Sequence, residues 1–153
     1  MPWITQSSLL SVSTNSIENV LSTQPSYLPV SGRGATLDYL LPENPTVGKT
    51  IKFQMIWGLY RLVWKSEITE WIPGEEFHTQ SSDERFTRFE SHHTLSDRGE
   101  KCLMRETIEF ESSQEQLNKI MATASLQHAV DYRVNTGQAA KTTTIQVIGQ
   151  QSA

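Results

Sequence analysis

The chain has 153 residues, 37% of them hydrophobic and 20% charged, with a net charge of −4. That length fits one domain with a true core. The negative balance and scattered Lys and Arg exclude sequence-independent nucleic-acid binding, and no apolar run approaches the ~20 residues needed for stable membrane insertion.

Met1 to Gln6 has neither the charged nor the apolar segment of a signal peptide. The sole cysteine, Cys102, forms no internal disulfide and reads as a strand filler. Both features fit a cytoplasmic protein.

Thr5 to Val12 reads as a strand. Asn15 and Glu18 have the spacing of a capping box before Ile17, Val20 and Leu21, so a short helix follows and stops at Pro25. Tyr27 to Gly34 reads as a second short helical turn and loop, and Ala35 to Leu41 as a strand. In Thr50 to Trp57, apolar Ile51, Phe53, Met55 and Trp57 alternate with polar Lys52 and Gln54, the period of a half-buried strand. A turn at Gly58-Leu59 leads into Arg61 to Trp71. That two-residue loop pairs Met55 with Leu62, Phe53 with Trp64 and Ile51 with Ser66, apolar face against mostly apolar face.

Ile72-Pro73-Gly74-Glu75 is a Pro-Gly turn before a shorter strand, Glu76 to Ser81. Phe86 to Leu95 and Lys101 to Glu111 form a second hairpin, expected to turn at Ser96 to Gly99. The register expected there pairs Leu95 with Cys102, His93 with Met104, Ser91 with Glu106 and Phe89 with Ile108. One face then carries Phe89, Ser91, His93, Met104, Glu106, Ile108 and Phe110. The other, with Arg88, Glu90, His92, Arg105, Thr107 and Glu109, is the wet face.

Ser112 and Glu115 repeat the capping-box spacing ahead of two apolar stripes. Leu117, Ile120, Met121 and Ala124 form one; Leu126, Ala129, Val130 and Val134 form the other, rotated from it. The spacing predicts a long C-terminal helix, kinked or divided near Ala124, ending at Gly137. Residues 1–137 are expected to form the domain. Residues 138–153 are expected to be a tail, flexible or adding a strand at Thr142 to Ile148.

This order resembles the helix-grip fold of START-like (SRPBCC) proteins related to polyketide cyclases. Val47-Gly48-Lys49-Thr50, the segment Trp64 to Pro73, Phe77, Phe89-x-Ser91-x-His93-x-Leu95 and Met104-x-Glu106-x-Ile108-x-Phe110 carry the likeness, best from Val47 to Phe110. Glu84-Arg85 stands where the family has Gly-Pro, Ser91 replaces its first His, and Glu106 replaces its usual Asp. The resemblance implies an α+β fold, a curved antiparallel sheet of six to seven strands around a long C-terminal helix, with two short helices after the first strand. It also implies an internal cavity for a hydrophobic small molecule, lipid, aromatic or polyketide-like.

The inner face of such a sheet offers Phe53, Met55, Trp57, Leu62, Trp64, Ile68, Phe77, Phe89, Met104 and Ile108, with Met121 from the helix, as ligand contacts or simply as core. Ser66, Ser91, His93 and Glu106, with Thr79, are polar residues on that face, and burial demands that they be hydrogen-bonded. His93 and Glu106 have three readings: a structural pair fixing strand register, a ligand anchor, or an acid–base pair for a cyclisation, dehydration or hydrolysis. His78, His92 and His128 lack metal-ligand spacing, and there is no phosphate loop or nucleophile elbow, so neither metal nor cofactor is expected. Val63, Trp71 and Ile145 to Ile148 offer a surface for a homodimer.

Overall fold

A computed structural model describes residues 3–10, 13–15, 17–22, 34–126 and 143–148. The elements run β1 (Trp3–Leu10), α1 (Ile17–Leu21), β2 (Thr36–Leu40), β3 (Thr50–Trp57), β4 (Tyr60–Ile72), β5 (Glu76–Gln80), β6 (Arg88–Arg98), β7 (Lys101–Glu111), α2 (Glu115–Met121), β8 (Ser125–Leu126) and β9 (Thr143–Ile148). All strands join one sheet in the order β8-β2-β3-β4-β5-β6-β7-β1-β9. Its body is a seven-strand antiparallel run from β2 through β7 to β1, flanked by parallel β8 and antiparallel β9.

The β3–β4 hairpin has the register its alternation predicts: Met55 faces Leu62, Phe53 faces Trp64 and Ile51 faces Ser66. Gly58 supplies the positive φ of 59° that a tight two-residue turn needs at its first position. The β6–β7 hairpin departs from expectation by two residues. Leu95 pairs with Met104, His93 with Glu106, Ser91 with Ile108 and Phe89 with Phe110. The cause is the turn. Asp97 and Arg98 remain in the ladder, and the chain reverses over Gly99-Glu100, where Gly99 has a φ of 77°. Gly99 N–H donates to Asp97 Oδ1. A shift of two preserves the faces, so the inner and wet sets stand as read.

Both capping boxes are replaced by longer-range bonds. Glu18 Oε2 accepts from Gly74 N–H at 3.1 Å, tying α1 to the β4–β5 turn. The α2 N-cap is Gln114, without a side-chain cap bond. Instead Asn118 reaches back, its Oδ1 accepting from Ser112 N–H and its Nδ2 donating to Ser112 C=O.

The helical region expected to be kinked or divided near Ala124 is interrupted there among the described residues. The chain leaves α2 after Met121 and enters β8, where Thr36 pairs with Ser125 and Leu37 with Leu126. Leu126, expected on a helical stripe, is thus a strand residue. Gly34 permits this approach: a Cβ there would lie 2.4 Å from the Thr123 carbonyl oxygen. The expected second helical turn at 27–34 falls outside the described residues up to 33, and the helical stretch expected over 127–137, with His128, also lies outside them. Thr143–Ile148 forms β9 against β1, so this part of the expected tail adds a strand. Trp71, offered as an exposed contact, is half-buried and packs on Phe77 with ring centroids 4.9 Å apart.

The β1 end of the seven-strand run meets β8, which flanks its β2 end, through one side chain. Gln6 of β1 is buried; its Oε1 accepts from Leu126 N–H and its Nε2 donates to Leu126 C=O, both at 2.8 Å. The carboxamide thus acts as a one-residue strand partner for β8 and curls the sheet toward closure. Gln6→Leu would orphan both buried backbone groups of Leu126, so it is expected to lower stability by about 2–4 kcal/mol. Urea unfolding checks this as a fall in midpoint at unchanged slope.

Candidate functional site on the concave face

Alternation on β3 to β7 delivers the inner-face residues to one interior. Phe53, Met55, Leu62, Trp64, Ile68, Phe77, Phe89, Met104, Ile108 and Met121 are all buried there, as are Ser66, Ser91, His93 and Glu106. Trp57 is the exception. It occupies the last rung beside the Gly58 turn, past the covered part of the face, and is 41% exposed.

The polar members form one row crossing the strands. Ser66 Oγ–H of β4 donates to Thr79 Oγ1 of β5 at 2.9 Å. Thr79 Oγ1 meets Ser91 Oγ of β6 at 2.6 Å, and Ser91 Oγ meets His93 Nε2 at 2.8 Å. His93 Nδ1 lies 2.9 Å from Glu106 Oε2 of β7, directly opposite rather than diagonal. Tyr39 of β2 donates its phenolic O–H to the same oxygen at 2.6 Å.

Two proton orderings serve every bond. With a neutral imidazole protonated on Nδ1, toward Glu106, Thr79 accepts from Ser66 and donates to Ser91, which donates to His93 Nε2. With the ring protonated on both nitrogens, Nε2–H donates to Ser91 Oγ, and Ser91 donates to Thr79. Tyr39 is the member that reading the sequence missed. Leu37 and Tyr39 on β2, with Leu41 just past its end, alternate and are buried, so the inner position of Tyr39 could be read, but not its partner. Gln6 was likewise missed, though it sits opposite Glu106 on β1.

Burial, and then the charge of Glu106, hold the Tyr39 phenol well above its ordinary value of 10.0. Burial also lifts the Cys102 thiol to about 11, helped by Glu106 and Asp97, so this cysteine is no nucleophile at neutral pH.

An aromatic block adjoins the row. Phe53 and Trp64 stack at 5.8 Å, and Phe89 meets both edge-on at 5.0 and 5.3 Å. Phe86 closes on Trp64 at 5.0 Å. Its loop is pinned by Arg85, which pairs with Asp83 and donates to the Val63 carbonyl, and by Ser112, whose hydroxyl donates to the Arg85 carbonyl. Arg85, in place of the family's Gly-Pro, is thus a structural brace. On the other side Phe77 stacks on His93 at 4.2 Å. Trp64 Nε1 is the one buried side-chain nitrogen or oxygen without a hydrogen-bond partner among the described residues. Leaving a buried donor unmade costs about 1–3 kcal/mol.

A separate group lies on the outer face. An irregularity in β4 puts Glu70, instead of Thr69, opposite His78. Glu70, Glu76 and His78 each bring one ligand atom within 4.8 Å of the others, an arrangement able to meet a divalent cation that linear spacing did not reveal. His78 is already held by Glu76 at 2.8 Å.

No protein-family model and no curated protein matches this sequence. Solved structures do match, and they define the fold as START-like. A START superfamily protein from Mycobacterium smegmatis aligns with a TM-score of 0.50 at 13% identity, over 79% of this chain and 87% of that one. The major latex-like protein 151 of Panax ginseng aligns with a TM-score of 0.50 at 15% identity, over 74% of this chain and 81% of that one. At these identities the likeness concerns the fold. No helix among the described residues is long and apolar enough to cross a membrane.

The raised Tyr39 value has a definite sign. Its contribution is intact below about pH 10, where both states keep the proton, and is lost as pH rises beyond the unfolded value. Tyr39→Phe should cost about 1–3 kcal/mol at neutral pH by removing a donor from Glu106. It should also flatten the decline in stability above about pH 10. Urea midpoints measured across that alkaline range for both proteins test the two effects together.

Proposed function

We propose that the chain binds one hydrophobic small molecule between the concave face of the sheet and α2, as a carrier or sensor. The observation that carries this reading is the buried row from Ser66 to Tyr39, set in an otherwise apolar interior. Apolar residues of similar volume would hold the fold at least as well, since buried polar and ionic groups lose hydration. A polar row next to an aromatic block instead suits a ligand with an apolar body and a polar end. The Met side chains at 55, 104 and 121 repack readily around such a body. The START-like fold supports the same reading by analogy.

A second reading, acid–base chemistry of the cyclase or dehydratase type, is favoured by the 2.9 Å contact of His93 with Glu106. The carboxyl group on Nδ1 would orient the ring and stabilise its protonated form. Ser91 engages the other nitrogen, so a substrate would have to take the place of that hydroxyl.

Native mass spectrometry of freshly purified protein is expected to show a co-purified small molecule. After organic extraction, the fluorescent probe N-phenyl-1-naphthylamine should bind saturably, one per chain. A bare-chain mass together with non-saturable probe fluorescence would overturn the binding reading.

A further inference from the structure

We infer that the ligand carries a hydrogen-bond-accepting oxygen on an aromatic body, and that Trp64 Nε1–H donates to it. This rests on the binding reading above. Trp64 is 2% exposed, and its indole nitrogen lacks a partner among the described residues. The contrast with its surroundings is the argument. Ser66, Thr79, Ser91 and His93 are equally buried, and each is hydrogen-bonded within the row. An interior that satisfies these groups but leaves one donor unmade points to an acceptor supplied from outside the chain. Trp also carries a donor that Phe, of similar apolar character, would not bring to this place.

The surroundings specify the rest of the ligand. The indole stacks on Phe53 with planes 9° apart and meets Phe86 and Phe89 at its sides. Flat aromatic bodies pack best among such rings. No charged side chain stands among these ring neighbours, so a neutral oxygen, as in a ketone, ether or phenol, is the acceptor that can be desolvated there at least cost. Ser66 lies two residues along β4 on the same face, its hydroxyl proton committed to Thr79. The polar row therefore begins beside the indole, and the ligand's oxygen would sit at the junction of row and block.

A matched pair of probes tests this with the full chain: 2-acetylnaphthalene, and 2-isopropenylnaphthalene, which replaces the carbonyl oxygen by CH2 at nearly the same shape. Isothermal titration of wild type should show the ketone binding about tenfold tighter than the alkene. In Trp64→Phe the ketone should fall to the level of the alkene, while alkene affinity changes little. Should Trp64→Phe fail to fold, the indole N–H resonances of the 15N-labelled wild-type protein replace it. The ketone, and not the alkene, should move one of them downfield and slow its hydrogen exchange. Equal affinities for the two probes, with no selective indole shift, overturn the inference but leave the binding reading standing; the nitrogen would then be facing a neighbouring ring. Failure of both probes to bind overturns the inference, and the reading beneath it falls as well only where the native mass and N-phenyl-1-naphthylamine binding also fail.

Discussion

The burial of the Glu106 carboxyl group is the constraint around which the interior is arranged. A carboxyl group removed from water needs donors on it, and breaking such a buried pair by removing one partner is strongly destabilising. Two donors come from distant parts of the chain, Tyr39 on β2 and His93 on β6. On the other flank of β7, Gln6 stands opposite Glu106 in the β1 ladder. A slip of β6 against β7 would carry His93 away from its partner. A flatter sheet would withdraw Tyr39, which reaches Glu106 from the far side of the seven-strand run. Curvature and register are thereby set by the same oxygen that anchors the polar row.

Much of this was legible in the residues, for a physical reason. A strand displays its faces with a period of two, so the inner set from Phe53 to Ile108 could be read from alternation alone. The β3–β4 register followed because the loop length and the apolar pairing agree. The β6–β7 register was misplaced by two because Ser96, Asp97 and Gly99 all favour turns, and only the paired backbone shows that Asp97 and Arg98 stay in the ladder. Trp57 satisfied the alternation and still lies exposed, because periodicity does not tell where the cover over a sheet ends.

What stayed hidden depends on single contacts over long separations. Tyr39 with Glu106, Gln6 with Leu126 and Glu18 with Gly74 each join segments that share no local pattern. The helical spacing after Ser112 was real for Leu117, Ile120 and Met121, which are buried. It failed at Leu126, where pairing with β2 and with the Gln6 carboxamide outweighs helical periodicity. Local propensity yields when a backbone can complete a sheet edge instead.

The Gln6 clamp has a consequence for how the chain reaches this shape. Gln6 and Leu126 are 120 residues apart, and β1 finds its place between β7 and β9, both late in the chain. During synthesis the first strand must therefore wait, unpaired, until nearly the whole sheet has left the ribosome. Topologies dominated by such distant pairings fold slowly, and an unpaired strand is open to pairing with other chains. Half-buried Thr5 and Ser7 alternate with buried Ile4, Gln6 and Ser8 along that strand. They make the waiting segment a poorer template for aggregation than a wholly apolar strand would be.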